Sequence, residues 1–388
     1  AGDQHHRAAE QVGRRDVERG FDQERLGARE VAIGGGARDL GFVGDLPRRT
    51  VLDEVQRAPA LFTALKAAID RSRVAGRFIL TGSANVLLVP KLADSLAGRM
   101  EILRLHPLSQ LELARATPRF LDVLFRGAFK IKTYERLGRE LEERIVAGGY
   151  PAALARSRPA RRTAWYRDYI ETLVQRDVRD LARIRALDVL PRLLTFAAGQ
   201  TSRLLNIADL AAPFQLSRPT IHDYIALLER VFLIDLLPPW HTNRLSRLVK
   251  SPKLHVGDTG VGAALLGADA AGLAQDRPLL GQFLETFVVQ ELRRQASERE
   301  DAIAFYHFRD RDGFEVDLVL ERGTHEIAGV EVKAAATVTA ADFRGLRKLR
   351  EAAGTRFKAG LVLYDGEQSV GFGDGLFAVP IRALWELT

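Results

Sequence analysis

The sequence predicts an α/β protein of several domains, and three observations lead to this class. The chain has 388 residues, which is too long for one ordinary hydrophobic core. Strand-like and helix-like segments alternate between residues 47 and 85, and a glycine-bounded pair of strands lies within residues 313–334. Between these regions the apolar period becomes helical, from about Leu108 to Thr201. We therefore expect two α/β regions separated by a helical middle.

Composition limits the environment and the partners of the chain. An apolar content of 46% is typical of globular protein, and the net charge of +7 favours contact with phosphate backbones or other polyanions. The absence of cysteine excludes disulfides and thiolate metal sites and suits a reducing compartment. No apolar run approaches the roughly 20 residues of a membrane helix. These observations predict a cytoplasmic protein without a membrane partner.

Order is expected to begin near residue 46. Residues 1–45 are rich in Arg, Gly, Asp and Gln without a sustained period, which predicts an atypical, poorly ordered segment. A short strand then ends in Asp53 and Glu54, a helix runs from about 60 to 71, and a second strand at 77–81 leads into polar residues. Such sheets place ligands at the carboxyl ends of their strands. This rhythm predicts an α/β nucleotide-binding layer.

The middle of the chain is predicted to be helical and to end in a DNA-binding type of unit. Residues 165–179 have the spacing of one amphipathic helix whose aromatic residues belong to a core. In residues 204–240, Asn206 and Ser217 are candidate caps of two short helices separated by Pro213, and an apolar strand follows at 231–237. Helix, tight turn, helix and strand are typical of a winged helix-turn-helix.

The second of these two helices carries the candidate DNA contacts. Arg218, Thr220, His222 and Asp223 would face a DNA groove. The alternative is a protein-packing unit, since many modules of this shape bind no nucleic acid.

The closing region contains a set of charged residues that need an explanation. Asp258 is a candidate helix cap, and a long helix around 281–292 carries Glu285 between apolar neighbours. On the following hairpin, Glu331 and Lys333 share one face of a strand, and Asp317 can lie beside Glu331. Carboxylates gathered on one face are costly to bury unless they hold a cation. The alternative is a surface ladder of salt bridges.

The order of these motifs resembles a known family, the bacterial and archaeal AAA+-type ATP-binding proteins that carry a C-terminal nuclease-like domain. The resemblance extends from about Gly41 to the C-terminus. It rests on residues 51–59, 78–83, 95–99, 148–151, 250–254 and 258–260 and on the closing hairpin.

The resemblance implies roles for residues near the first sheet. Asp53 and Glu54 are similar to a Walker B pair, in which the first acid holds Mg2+ and the second polarises the attacking water. Thr81, Ser83 or Asn85 would be the sensor at the tip of the next strand, and Arg99 a phosphate-sensing arginine. ATP and Mg2+ are the cofactors that the family implies here.

In the C-terminal domain the resemblance is to the PD-(D/E)XK nucleases. Glu285, Asp317 and Glu331 would hold Mg2+, and Lys333 would steady the attacking hydroxide or the developing phosphorane charge. The family also implies DNA as a partner and is compatible with a homo-oligomer or a partner protein, although nothing in the chain specifies one.

The resemblance further implies a domain plan. It comprises an atypical segment, a partial AAA+ core with P-loop-type α/β layering, a helical domain, a winged helix-turn-helix and a restriction-endonuclease-like α/β domain. The expected ranges are 1–45, 46–115, 116–202, 203–250 and 251–388.

One departure from the family concerns the phosphate loop. The sequence contains no G-x-x-x-x-G-K-[ST] run, and residues 34–36 supply three glycines without the lysine or the hydroxyl. We expect the chain to bind ATP weakly or not at all, and a shifted reading frame or a misplaced start would account for residues 1–40. Three functions remain open: an ATPase-type protein associated with DNA whose nucleotide site is incomplete, a Mg2+-dependent DNA nuclease, and a non-enzymatic DNA- or protein-binding module.

Overall fold

The computed structural model describes residues 29–30, 41–55, 58, 60–83, 96–178, 189–243, 247 and 251–387. The chain divides into two compact units. The first unit comprises residues 1–104, 172–185 and 230–232, and the second comprises 105–171, 186–229 and 233–388. Most of the atypical segment 1–45 therefore lies outside the described residues, although Arg29–Glu30 form a strand and Gly41–Asp45 a short 3-10 helix.

The first unit is built on a parallel sheet of order β1-β2-β3 (Arg29–Glu30, Thr50–Leu52 and Phe78–Leu80). Helix α1 (Leu61–Arg71) connects β2 to β3 and buries Leu61, Leu65 and Ala68, which recur at the spacing of one helix face. These residues pack with Leu52 of β2 in a small core. The predicted succession of strand, helix and strand is confirmed.

The second unit begins with a helical stretch, interrupted by one short strand. Its helices are α2 (Gln110–Ala114), α3 (Phe120–Arg126), α4 (Arg139–Ala147), α5 (Pro151–Leu154) and α6 (Pro159–Thr172), with strand β4 (Lys132–Thr133) between α3 and α4. The prediction of a purely helical middle missed β4. This strand is short and polar, and it pairs with a strand more than two hundred residues later, so no local pattern signals it.

The amphipathic helix predicted at 165–179 begins earlier and changes type. Helix α6 starts at Pro159, and its continuation over Leu173–Val178 is π-helical. The aromatic residues of α6 differ in burial, because Tyr166 is buried whereas Trp165 and Tyr169 are partly exposed and stacked, with ring centroids 5.2 Å apart. The expectation that the aromatic residues belong to a core thus holds for Tyr166.

A three-stranded antiparallel sheet organises residues 189–256. Its elements are α7 (Val189–Gly199), β5 (Arg203–Leu204), α8 (Ile207–Ala211), α9 (Arg218–Arg230), β6 (Ile234–Leu237) and β7 (Lys253–Val256). The sheet order is β5-β7-β6. Asn206 caps α8 through the amide of Ala208, and the Ser217 hydroxyl accepts from the amide of Thr220, so both predicted caps are confirmed.

The remaining elements form a mixed seven-stranded sheet of order β4-β12-β13-β11-β10-β9-β8. The strands are β8 (Ile303–Arg309), β9 (Glu315–Arg322), β10 (Glu326–Lys333), β11 (Phe357–Tyr364), β12 (Gln368–Gly371) and β13 (Leu376–Pro380). The helices are α10 (Thr259–Leu266), α11 (Ala270–Gln275), α12 (Arg277–Ser297), α13 (Arg344–Ala353) and α14 (Ala383–Glu386). Strands β9 and β10 form the predicted hairpin.

Two hydrophobic cores enclose this sheet. Leu284 and Val288 of α12 pack with Leu318 and Val330 in one core. Leu346 of α13 packs in the other core, with Val319 and Val362 among its members. Long helices thus cover the hairpin, and this burial determines the environment of its charged residues. Within the described part of the chain, no helix combines the length and apolarity needed to cross a bilayer.

Candidate functional site

In the first unit, two predicted site residues meet at the ends of neighbouring strands. Asp53 follows β2 and Thr81 follows β3, and the Thr81 hydroxyl donates a hydrogen bond to the Asp53 carboxylate. The backbone ladder continues past both strands, because the Thr81 amide donates to the Leu52 carbonyl at 2.9 Å and the Val55 amide donates to the Thr81 carbonyl at 3.1 Å. The parallel register therefore positions the acid and the hydroxyl side by side.

The other predicted residues of the first unit are placed differently. Glu54 adopts a left-handed backbone conformation with φ of 52°, which is uncommon for a residue with a side chain. Arg99 is held by Asp70 of α1, with its Nε and Nη2 atoms 2.8 and 3.1 Å from the two carboxylate oxygens. This hydrogen bond lowers the pKa of Asp70. Ser83 is half-buried, and Asn85 lies outside the described residues.

These residues fit only part of a nucleotide site. The exposed Asp53 carboxylate, oriented by Thr81, is a suitable oxygen ligand for Mg2+. A triphosphate also needs a cradle of backbone amides and a lysine, and the sequence contains no phosphate loop that would supply them. The Asp53 carboxylate therefore has the chemistry of a metal ligand, whereas the sequence contains no phosphate-loop motif.

The second unit brings together Glu285, Asp317 and a lysine that differs from the predicted one. The Lys253 ammonium, at the start of β7, donates to Glu285 Oε1 at 2.7 Å and to Asp317 Oδ1 at 3.0 Å. The second oxygen of Asp317 accepts from the Val332 amide at 3.0 Å. The lysine and both acids are largely buried, with side chains 7%, 11% and 15% exposed. Lys253 therefore ties β7 to α12 and β9.

Glu331 completes this cluster. The antiparallel pairing with β9 ends at Val330 and Leu318, and Glu331 is the next residue of β10, close enough to Asp317 for the two charges to interact. Burial and the neighbouring Asp317 raise the pKa of Glu331 well above its usual value. Its Oε2 atom is buried and has no hydrogen-bond partner within the described part of the chain. We refer to Lys253, Glu285, Asp317 and Glu331 as the carboxylate cluster.

The pKa values of the cluster reflect its burial. Burial and the charge of Asp317 raise the pKa of Glu285 well above its ordinary value, although Lys253 opposes this. Burial alone would lower the pKa of Lys253, but the charges of Asp317 and Glu285 outweigh it and raise the pKa. The ammonium is therefore fully charged, and it is the group that compensates the acids.

Lys333 pairs with a different acid from Glu285 and Asp317. Its ammonium forms an ion pair with Asp342. The other oxygen of Asp342 accepts from the amide and the hydroxyl of Thr339, at 2.7 and 2.9 Å. This capping interaction fixes Asp342, which in turn holds Lys333. The structure thus assigns Lys333 to the end of β10 and its following turn.

The carboxylate cluster does not fit a bound Mg2+. Mg2+ requires oxygen ligands at about 2.0–2.1 Å in near-octahedral geometry. Here the Lys253 ammonium occupies the space between Glu285 and Asp317. In the residues that the structure describes, no group of three or more His, Asp or Glu side chains is arranged to hold a metal ion. Glu285 and Asp317 form an internal ion pair with Lys253, an arrangement that does not favour the metal site predicted at Glu285, Asp317 and Glu331.

Sequence reasoning gave no role to Lys253 or to its neighbour His255. The two alternate along β7 and therefore share a side of the strand. His255 Nε2 lies 4.0 Å from Glu285 Oε1, and Nδ1 lies 3.0 Å from the Thr286 hydroxyl. Burial and Lys253 lower the pKa of His255 well below its usual value, so the ring is neutral. The available signal in the sequence was a lysine and a histidine two residues apart in a strand that is otherwise apolar.

The predicted DNA contacts lie near the start of α9. Arg218, His222 and Asp223 are exposed, whereas Thr220 is half-buried and hydrogen-bonds Ser217 through its hydroxyl. The order of elements is helix, strand, helix, helix, strand, strand, and the last strand, β7, lies between the other two. This arrangement is compatible with a winged helix-turn-helix.

Comparison with known families assigns the first region and leaves the others without a known activity. Residues 30–114 match an AAA domain, which supports an AAA-type ATPase family and an ATPase-like function. Residues 138–272 and 280–384 match two domains of unknown function, DUF8612 and DUF4143. No solved structure matches the chain.

Two curated relatives resemble almost the whole chain. An uncharacterised protein of Mycobacterium tuberculosis and one of Mycobacterium bovis are each 28% identical over 367 residues, covering 94% of this chain and 73% of the relative.

Proposed function

We propose that this chain is an AAA ATPase-type protein whose own nucleotide site is incomplete. The observation that carries the proposal is the pair formed by Asp53 and Thr81 at the carboxyl ends of adjacent parallel strands. A metal-binding acid beside a polar sensor is the arrangement that ATP hydrolysis needs at this edge of a sheet. The match of residues 30–114 to an AAA domain supports the same function.

Equilibrium binding of Mg2+-ATP tests the incomplete site. We expect the chain to bind Mg2+-ATP no more tightly than about 1 mM, because the amides and lysine that hold the phosphates are missing from the sequence. Calorimetry on the intact chain, with and without Mg2+, measures this affinity. A micromolar, Mg2+-dependent affinity that Asp53→Asn abolishes would show that the site is complete and would overturn this part of the proposal.

A replacement of the N-terminal segment tests whether the rest of the first unit is AAA-like. Residues 1–40 are exchanged for the corresponding strand and phosphate loop of an ATP-binding AAA protein. We expect Mg2+-dependent ATP binding to appear, to be lost with Asp53→Asn and to be weakened by Thr81→Val. Thr63→Val, on the exposed face of α1, is the matched control and should have no effect. ATP binding that Asp53→Asn leaves unchanged would contradict the assignment.

DNA association is a second proposed function, favoured by the sheet order β5-β7-β6 and by the exposed start of α9. In a winged helix-turn-helix, the second helix of the pair enters the major groove with its N-terminal residues. Arg218 and His222 are exposed near the start of α9, which supports this proposal, and the net charge of +7 favours phosphate contact.

Fluorescence anisotropy with duplex DNA at several salt concentrations tests this second function. Arg218→Ala should weaken binding and lower the slope of log K against log salt by about 1, since one phosphate contact is lost. Arg139→Ala is the matched control, because Arg139 is an exposed arginine of α4. If the two variants bind DNA equally, the helix pair serves as a packing unit.

A further inference from the structure

The carboxylate cluster gathers three acidic side chains around one ammonium within a buried space. Glu285 and Asp317 share the single ammonium of Lys253, and Glu331 adds a third carboxylate. Buried carboxylates without compensation are strongly destabilising, so the loss of Lys253 would leave the cluster dependent on another positive charge.

Lys333 is not available to replace Lys253. Asp342 pairs with it, and Thr339 holds Asp342 through two hydrogen bonds. Moving the Lys333 ammonium toward Asp317 would break this pair and would leave Asp342 without its cation. The compensation of the cluster therefore depends on β7, which supplies Lys253 from the three-stranded sheet.

The position of the Lys253 ammonium also excludes a second cation. The ammonium lies within hydrogen-bonding distance of one carboxylate oxygen of Glu285 and one of Asp317. A metal ion at this place would have to bind the same two oxygens. A divalent ion at about 2 Å from the same oxygens would lie in contact with the ammonium, and like charges in a buried space repel strongly. Two buried polar atoms nearby, Glu331 Oε2 and His255 Nε2, lack partners among the described residues, so ligand atoms would remain if the ammonium left.

We propose that Lys253 is the resident cation of the carboxylate cluster, that it stands where a divalent metal would otherwise sit, and that the native chain consequently binds no divalent metal there. Removal of the ammonium converts the cluster into a site for Mg2+ or Mn2+, held by Glu285, Asp317 and Glu331. Lys253 of β7, a strand of the three-stranded sheet, thus fills the site that α12 and the hairpin form.

Thermal unfolding of the intact chain in millimolar Mg2+ or Mn2+ tests this proposal. All three tryptophans, Trp165, Trp240 and Trp385, belong to the second unit, so tryptophan fluorescence reports the unit that contains the cluster. We expect the metals to leave the wild-type melting temperature unchanged. Lys253→Ala leaves room for an ion and should melt roughly 10 °C lower without metal. Mn2+ or Mg2+ should then restore most of this loss.

Two controls separate a metal site from general effects. Lys348→Ala removes an exposed lysine paired with Glu351 and should melt like the wild type with and without metal. Lys253→Ala combined with Asp317→Asn should lose the recovery by metal. An unchanged melting temperature in Lys253→Ala, or the failure of both metals to restore it, would overturn the proposal.

Direct Mn2+ binding to the wild type keeps the proposal falsifiable if Lys253→Ala does not fold. Electron paramagnetic resonance measures bound Mn2+ in the wild type and in Glu285→Gln. Equal, weak binding by both proteins supports a site filled by Lys253. A tight Mn2+ site in the wild type that Glu285→Gln removes would overturn it.

Discussion

At the scale of single residues, Asp258 is a buried carboxylate that joins distant parts of the second unit. It caps α10 through the Gly260 amide at 2.9 Å, as the sequence predicted. It also accepts from the Gly149 amide and from Arg294 of α12, both at 2.9 Å. The sequence motifs at 148–151 and 258–260 are thus explained by one shared contact. A sequence pattern predicts the cap, but it cannot predict partners that lie 36 and 109 residues away.

We expect Asp258→Ala to lower the free energy of unfolding of the second unit by about 3–5 kcal/mol, because it removes the carboxylate that compensates the buried charge of Arg294. Chemical denaturation followed by tryptophan fluorescence measures this loss. Asp269→Ala is the matched control, since Asp269 is an exposed cap of α11 that accepts from the Gly272 amide, and it should cost about 1 kcal/mol. Equal losses in the two variants would show that only capping matters.

At the scale of elements, helices α12 and α13 both cover the hairpin, but they differ in whether a glycine of the helix can be replaced by a residue with a side chain. A methyl group at Gly345 in α13 would overlap the carbonyl oxygen of Glu315, at the start of β9. A methyl group at Gly281 in α12 would meet no atom of the described residues within 4 Å. The close approach of α13 to β9 therefore requires glycine, whereas Gly281 only weakens its helix.

We expect opposite effects from alanine at these two positions. Gly281→Ala should raise the free energy of unfolding by about 0.5–1 kcal/mol, because glycine is entropically unfavourable within a helix. Gly345→Ala should lower it by at least about 2 kcal/mol, since the helix must shift away from the strand. Urea titration followed by tryptophan fluorescence compares the two variants, and a stabilising Gly345→Ala would show that α13 can move freely on the sheet.

His307 connects strand β8 to the segment before β7. Its Nε2 atom donates to the Ser251 carbonyl at 3.2 Å, and its backbone pairs with Pro238 and Trp240. Burial, together with the charge of Lys253, lowers the pKa of His307 to about 4, although the carbonyl of Ser251 and the charge of Asp317 oppose this. The ring is therefore neutral in the folded chain at neutral pH.

At the scale of the whole molecule, the low pKa of His307 predicts that the folded chain loses stability in acid. A folded-state pKa of about 4, below the ordinary value of 6.5, favours folding above pH 6.5, and this contribution disappears as the pH falls toward 4. The shift corresponds to about 3 kcal/mol. We expect His307→Gln to flatten the loss of stability between pH 6.5 and 5 in urea titrations, whereas the exposed His222→Gln should not. Parallel pH profiles for His307→Gln and the wild type would contradict this origin.

Local pattern was sufficient for most of the elements. The strand pair near Asp53 and Thr81, the caps Asn206 and Ser217 and the hairpin β9–β10 all follow from residue period and capping chemistry. Strand β6 begins at Ile234 instead of Val231, and the left-handed conformation of Phe232, with φ of 60°, separates it from α9. A run of apolar residues in the sequence gives no sign of such a backbone conformation.

Residues close together in the chain were enough to predict the succession of α/β, helical and α/β regions, the polar residues that follow two neighbouring strands and the absence of a phosphate-loop motif. Which lysine meets the acids depends on how distant elements pack. Lys253 begins β7 and Lys333 ends β10, but β7 directs Lys253 to Glu285 and Asp317, whereas a local cap holds Asp342 against Lys333. Burial then makes the charge of Lys253 necessary, and burial depends on the packing of elements far apart in sequence.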